Sequence, residues 1–135
     1  MTYFLAKTEP SSYSIDRLKQ ENRTTWDGVK NSQAVKAIGQ MQPGDRVFIY
    51  HSGGESAIVG LAKVESVPQP DSKAPKSMTV DLSYICHLPP TPLSQVKQSK
   101  LFEDWALVRQ GRLSTMTVPD RFVDWMRERH PDSRI

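Results

Sequence analysis

The segment TVDLSYICHL, Thr79 to Leu88, alternates with a period of two. Val80, Leu82, Tyr84, Cys86 and Leu88 fall on one side, and Asp81, Ser83 and His87 on the other, the pattern of a strand with one buried face. Cys86 lies on the apolar side, where a thiol acts as a small core residue; a nucleophilic thiolate would need an exposed, electropositive site. Pro89-Pro90 is expected to end this strand. Upstream, Pro68 to Lys76 reads as a loop carrying prolines 68, 70 and 75.

Further strands are expected at Thr2–Ala6, ending before Pro10, at Arg46–Ser52 and at Ala57–Val67, the last two joined by a Gly53-Gly54 turn. Leu113–Val118 reads as another. Helices alternate with them. Ser14 can cap Ile15–Gln20, with Ile15 and Leu18 facing inward. Asn31 can cap a second helix, whose apolar positions Ala34, Ile38 and Met41 keep helical spacing until Pro43-Gly44. Leu93–Lys100 and Phe102–Leu107 are short helical candidates, and Pro119 suits the first turn of a last helix with a Phe122-Trp125-Met126 stripe. Short strands mixed with short helices define an α+β class: a small, strongly curved mixed sheet or pseudo-barrel flanked by helices.

Composition bounds the function. A chain of 135 residues reads as one domain, able to bury roughly two-thirds of its unfolded surface without a metal or disulfide. No apolar run approaches the ~20 residues of a membrane span, so no membrane partner is expected. One cysteine excludes an intrachain disulfide and a multi-cysteine zinc site. A reducing, intracellular location is the default. The net charge is +3. Lys/Arg at 17, 19, 23, 30, 36 and 46 outnumber the acids 21, 27 and 45 in one stretch, a surface that attracts phosphate or is simply solvated.

Four polar clusters resist explanation by core packing: KTEPSSYS (Lys7–Ser14), WDGVKN (Trp26–Asn31), YHS (Tyr50–Ser52) and RQGRLS (Arg109–Ser114). Each falls at the end of an expected strand or at a strand–helix junction, where scaffolds carry binding groups. WDGVKN sets a flat ring, a carboxylate, a glycine and an amide within six residues. In order and spacing these clusters, with Gly44-Asp45 opening a strand between them, resemble the EVE domain family over Tyr3 to about Trp125. The chain departs from the family in having Lys30 for an arginine, Ser32 and Val35 where the family has tyrosine and arginine, a short 69–77 loop, and Met78 where a tryptophan is common. Lys30 keeps the charge but loses the planar fork.

The resemblance implies a PUA-like fold and a non-enzymatic, nucleic-acid-binding module that takes a modified base, of the methylated or hydroxymethylated cytosine class, flipped from its strand into a pocket. It implies ligand contacts from Tyr13, Ser14, Trp26, Asp27, Gly28, Val29, Asn31, Tyr50, His51, Ser52, Leu113 and Ser114, and phosphate contacts from Lys7, Lys30 and Arg112. It implies neither cofactor nor metal, a monomer, and a cytoplasmic location for a short bacterial-type member (nuclear in a eukaryote).

The chemistry suits that role. Trp26 can wall a base, stacking being worth about 1–3 kcal/mol, against a few kcal/mol to extrude it. Gly28 permits close backbone approach, Asp27 can accept from an exocyclic amine, and Asn31 can donate and accept. One buried methyl adds only about 0.8 kcal/mol, so a fitted pocket discriminates roughly tenfold to hundredfold.

Other readings stand beside these. Trp26 and Tyr50 can be core, Asn31 only a cap, and Arg112 can pair with Asp27 or Glu9. His51 lacks partner histidines at metal-ligand spacing. Relatives with an ASCH domain suggest an alternative, hydrolysis of an acylated base by Lys7, Thr8 and Glu9. If the first strand reaches residue 9, however, Thr8 points away from the other two. A third reading is a protein-interaction module built on the Phe122-Trp125-Met126 stripe.

Overall fold

The strand centred on Thr79–Leu88 is the spine of the molecule. A computed structural model describes residues 1–135, and in it this strand, β6, runs from Ala74 to Pro92. The other strands are β1 (Tyr3–Thr8), β2 (Arg23–Trp26), β3 (Arg46–His51), β4 (Ala57–Val64), β5 (Gln69–Asp71) and β7 (Thr115–Thr117). They form one mixed sheet in the order β2-β6-β4-β3-β1-β7, with β5 paired to β6. Only β1 and β3 run parallel; the remaining pairs are antiparallel. The sheet curls into a half-barrel with a few short helices on it. Those helices are α1 (Ile15–Glu21), α2 (Ser32–Gly39), α3 (Leu93–Gln98), α4 (Ala106–Arg109) and α5 (Asp120–Arg129). None is long and apolar enough to cross a membrane.

Pro89-Pro90 does not end β6 as expected. The ladder to β4 pairs Gly60 with His87 and then Ile58 with Thr91, so the prolines sit in an irregularity where no ladder N–H is required. A second register shift, Leu61 opposite Cys86 and Ala62 opposite Tyr84, absorbs Ile85. It breaks the strict alternation. Val80, Leu82 and Leu88 are buried, but Tyr84 and Cys86 are only partly covered. Cys86 is therefore not the core cysteine expected, although burial still pushes its thiol pKa up.

Two strands were not expected. Within the proline-bearing 68–76 stretch, β5 pairs with the start of β6. β2 is short and polar, and its stability comes from across the sheet: the Asp81 carboxylate accepts from Arg23 Nη2 and from Thr25 Oγ1, both at 2.9 Å. The Phe122-Trp125-Met126 stripe of α5 faces inward rather than outward. Phe122 and Met126 are fully buried, and Phe122 meets Phe48, Phe102 and Trp105. Trp125 is half-buried under the Arg129 guanidinium, 5.5 Å from its ring.

Candidate nucleic-acid interface

The order β6-β4-β3-β1-β7 brings the far end of β1 beside the start of β7, and β2 opens onto the same place. Lys7 N–H donates to Ser114 O at 2.7 Å. The chain then turns: Ser12 and Tyr13 N–H both donate to Glu9 O, and Thr8 Oγ1 donates to Tyr13 O at 2.8 Å. Those bonds fold the Pro10 loop back and set the Tyr13 ring edge-on to Trp26, at 6.1 Å and 88°. Beyond Trp26 the chain reverses at Gly28, whose φ of +75° is costly for any other residue. Ser77 Oγ fixes the far side of this turn by donating to Val29 O.

These elements enclose a cavity of about 250 Å³ lined by Lys7, Thr8, Tyr13, Thr24, Thr25, Trp26, Asp27, Gly28, Val29, Lys30 and Ser114. It is smaller than the roughly 300–1,000 Å³ of sites for drug-sized ligands, so a single ring system suits it better. Its charged groups are Lys7 and Lys30 against Asp27. Lys7 is the most constrained of them: Nζ donates to Gly111 O at 3.0 Å and sits 5.4 Å from the Tyr50 ring centroid. Burial holds its pKa below the usual lysine value of 10.5. Tyr13 is braced from behind, its hydroxyl donating to Glu21 Oε1 at 2.8 Å with the Arg17 guanidinium over its ring. Burial raises the Tyr13 pKa.

Eight of the fifteen residues expected from the sequence meet here: Lys7, Tyr13, Trp26, Asp27, Gly28, Val29, Lys30 and Ser114. The other seven do not line this cavity. Asn31 Oδ1 caps α2, accepting from Gln33 N–H at 2.8 Å and Ala34 N–H at 3.2 Å. Ser14 Oγ caps α1 through Arg17 N–H. Tyr50, 3% exposed, is core beneath Lys7. His51, 7% exposed, accepts from Ile15 N–H at its Nε2, which puts the proton on Nδ1, facing Glu55 Oε1 at 2.8 Å. Ser52 braces β1 by donating its N–H to Thr8 O. Leu113 is buried against a different groove, and Arg112 is exposed beyond the cavity.

Sequence reasoning missed Thr24 and Thr25 as lining residues. The available signal was the pair of β-branched residues directly before Trp26, readable as a strand leading into the turn. Thr8 was expected to point away from Lys7 if the first strand reached residue 9; β1 ends at Thr8, and both residues line the cavity. No cluster of three His, Cys, Asp or Glu side chains is placed to hold a metal ion.

A curled half-barrel of this topology is a PUA-like domain. The EVE domain model matches residues 2–129, and the chain belongs to that family. Over its whole length it superposes on all of the protein Rpa0253 from Rhodopseudomonas palustris, with a TM-score of 0.89 and 30% identity. It also shares its fold with human THYN1 protein, solved in complex with 5-methylcytosine containing DNA. That match has a TM-score of 0.88 and 24% identity, over 98% of this chain and 99% of that one. Thymocyte nuclear protein 1 of Gallus gallus is 40% identical over 81 residues, 51% of this chain and 34% of that protein. The chain thus spans about a third of the length of that curated relative.

Proposed function

We propose that this EVE domain binds nucleic acid and accepts one modified base, of the methylated or hydroxymethylated cytosine class, in the Trp26 cavity. The observation that carries this reading is the convergence of a partly buried aromatic wall, Trp26, with Asp27 and Lys30, whose side chains have no protein ion-pair partner. Both are exposed and remain available to a ligand. Asp27 accepts from an exocyclic amine, Trp26 stacks, and Lys7 and Lys30 supply positive charge at the cavity. The DNA complex of human THYN1, a protein of the same fold, supports the ligand class.

The test is a titration of labelled strands carrying cytosine or modified cytosine. Trp26→Ala is expected to abolish the preference for the modified strand while thermal unfolding stays cooperative. Equal binding by mutant and wild type would sink the reading.

The hydrolytic alternative is disfavoured by geometry. Of its three groups, Lys7 and Thr8 line the cavity, but both are engaged, by Gly111 O and Tyr13 O. Glu9 lies outside the cavity and bonds Ser11 Oγ. The three groups that mechanism needs are therefore not gathered in the cavity. Acylated cytidine is expected to remain intact; turnover lost on Lys7→Ala would reverse this assignment.

A further inference from the structure

On the other side of β7 lies a second and larger groove, of about 460 Å³. One wall is a single face of α2, Gln33, Lys36, Ala37 and Gln40, at the i, i+3, i+4, i+7 spacing of a helical stripe. The opposite wall is Asp104, Trp105 and Ala106, which lead into α4, with the Arg121–Asp104 ion pair at its edge. The floor is β7. There Thr115 is 0% exposed, and its hydroxyl is the one buried side-chain polar atom in the molecule without a hydrogen-bond partner. Buried hydroxyls are nearly always satisfied, and an orphan calls for an explanation. A second open valence lies above it: Lys36 has no acidic partner. The rim covering the floor consists of long side chains, which change rotamer in picoseconds to nanoseconds when exposed.

We infer that this groove is a second nucleotide subsite, holding the nucleotide next to the one whose base enters the Trp26 cavity. This rests on the function proposed above. Three observations point to a nucleotide on the same strand. The volume falls in the range of sites for ligands of that size. The rim offers one free cation and two side-chain amides, the groups that meet phosphate and base edges. The two cavities also meet at the residues that lead into β7. Ser114 lines the first, while its neighbours Leu113 and Thr115 line the second. The first cavity and the floor of the second are thus one residue apart along the chain, within reach of consecutive nucleotides.

The probes are a modified cytidine monophosphate, the same unit extended by one nucleotide on its 5′ or its 3′ side, and an unmodified mononucleotide. In wild-type protein the extension on one side is expected to tighten binding at least tenfold over the modified monophosphate. Thr115→Val, close to isosteric, and Lys36→Ala are expected to lose most of that gain while binding the modified monophosphate as wild type does. Thr115→Val also removes an unsatisfied group, so its melting temperature should not fall, which separates lost contact from lost fold. An extension gain that survives both substitutions overturns the subsite. If the unmodified mononucleotide alone shifts the Gln33, Gln40 and Thr115 amide resonances as strongly as the extended probe, the groove serves a free nucleotide and the strand assignment is overturned. Failure of the modified monophosphate to bind at all, in wild type as in Trp26→Ala, would instead refute the function proposed for the first cavity.

Discussion

Gly60 decides how close α1 can lie to the sheet. It stands on β4 opposite His87, directly beneath Ile15, the first residue of α1. A Cβ at this position would meet Ile15 Cδ1 at 2.5 Å, Ile15 Cγ1 at 2.7 Å and the Cys86 carbonyl oxygen at 3.1 Å. Carbon atoms in contact prefer about 3.5–4.0 Å. In Gly60→Ala the buried Ile15 side chain must therefore shift by about 1 Å, and the start of α1 with it. Overpacking of this kind costs about 1–3 kcal/mol, a fall in melting temperature of roughly 3–10 °C for a chain of this size. The displacement also reaches the site. Ile15 N–H is held by His51 Nε2 at 3.1 Å, and two residues earlier Tyr13 braces Trp26. Gly60→Ala should therefore weaken binding to the modified strand several-fold while changing no residue of the cavity. The diagnostic experiment is a double-mutant cycle with Ile15→Val, which removes the nearest clashing atom. Alone, Ile15→Val should cost about 0.5–1.5 kcal/mol; combined with Gly60→Ala it should cost markedly less, with a coupling of at least about 0.5 kcal/mol in urea unfolding. Additive effects, or a Gly60→Ala protein as stable as wild type, would refute the reasoning.

Three further outcomes are expected. Burial depresses the Lys7 pKa, so the unfolded chain holds this proton more tightly and wild-type stability should rise with pH just below 10.5. Lys7→Met should remove that rise in alkaline urea titrations and, if Lys7 meets phosphate, reduce the salt slope of strand binding by about 1. The hydrogen bonds of Arg23 and Thr25 hold the Asp81 carboxyl below its usual 3.8, so its contribution is present above that value and lost as pH falls through the lower folded pKa. Asp81→Asn should loosen β2, cost about 1 kcal/mol at neutral pH, and flatten the acid limb of the stability curve. Partial burial and then the neighbouring Arg129 charge hold the His130 pKa below 6.5; its Nε2 lies 2.9 Å from Thr91 Oγ1. Stability should drop as pH decreases from 6.5 to the folded value, and His130→Gln should abolish that drop in pH-dependent melting.

What could be read from the sequence was what neighbouring residues decide among themselves. The caps Ser14 and Asn31 and the alternation of Val80 and Leu82 act within a few residues, and each is found where expected. What could not be read depended on a distant partner. β2 is a strand because Asp81, 56 residues from Thr25, supplies its cross-strand bonds. Pro89-Pro90 is tolerated because β4 shifts register there. His51 is structural because the Ile15 N–H, 36 residues away, claims its Nε2. The same rule sorted the site. Asn31 could cap a helix or meet a ligand, and the cap prevailed because two orphan N–H groups at the start of α2 were already in place for its oxygen.

The departures from the family pattern acquire a different weight once placed in the fold. Ser32 is an exposed residue in the first turn of α2, and Val35 packs its side chain toward the core; neither lines the Trp26 cavity. Met78 is likewise partly buried against the core and away from the cavity wall. Of the four substituted positions only Lys30 lies on the cavity. The change that bears on ligand choice is therefore arginine to lysine at the rim, which leaves the charge and removes the flat, two-pronged donor. A lysine there meets a phosphate as a point charge but cannot lock onto a carbonyl–nitrogen pair at a base edge. On the function proposed above, base discrimination falls to Asp27, to the backbone of the Gly28 turn and to the shape of the space between Trp26 and Val29.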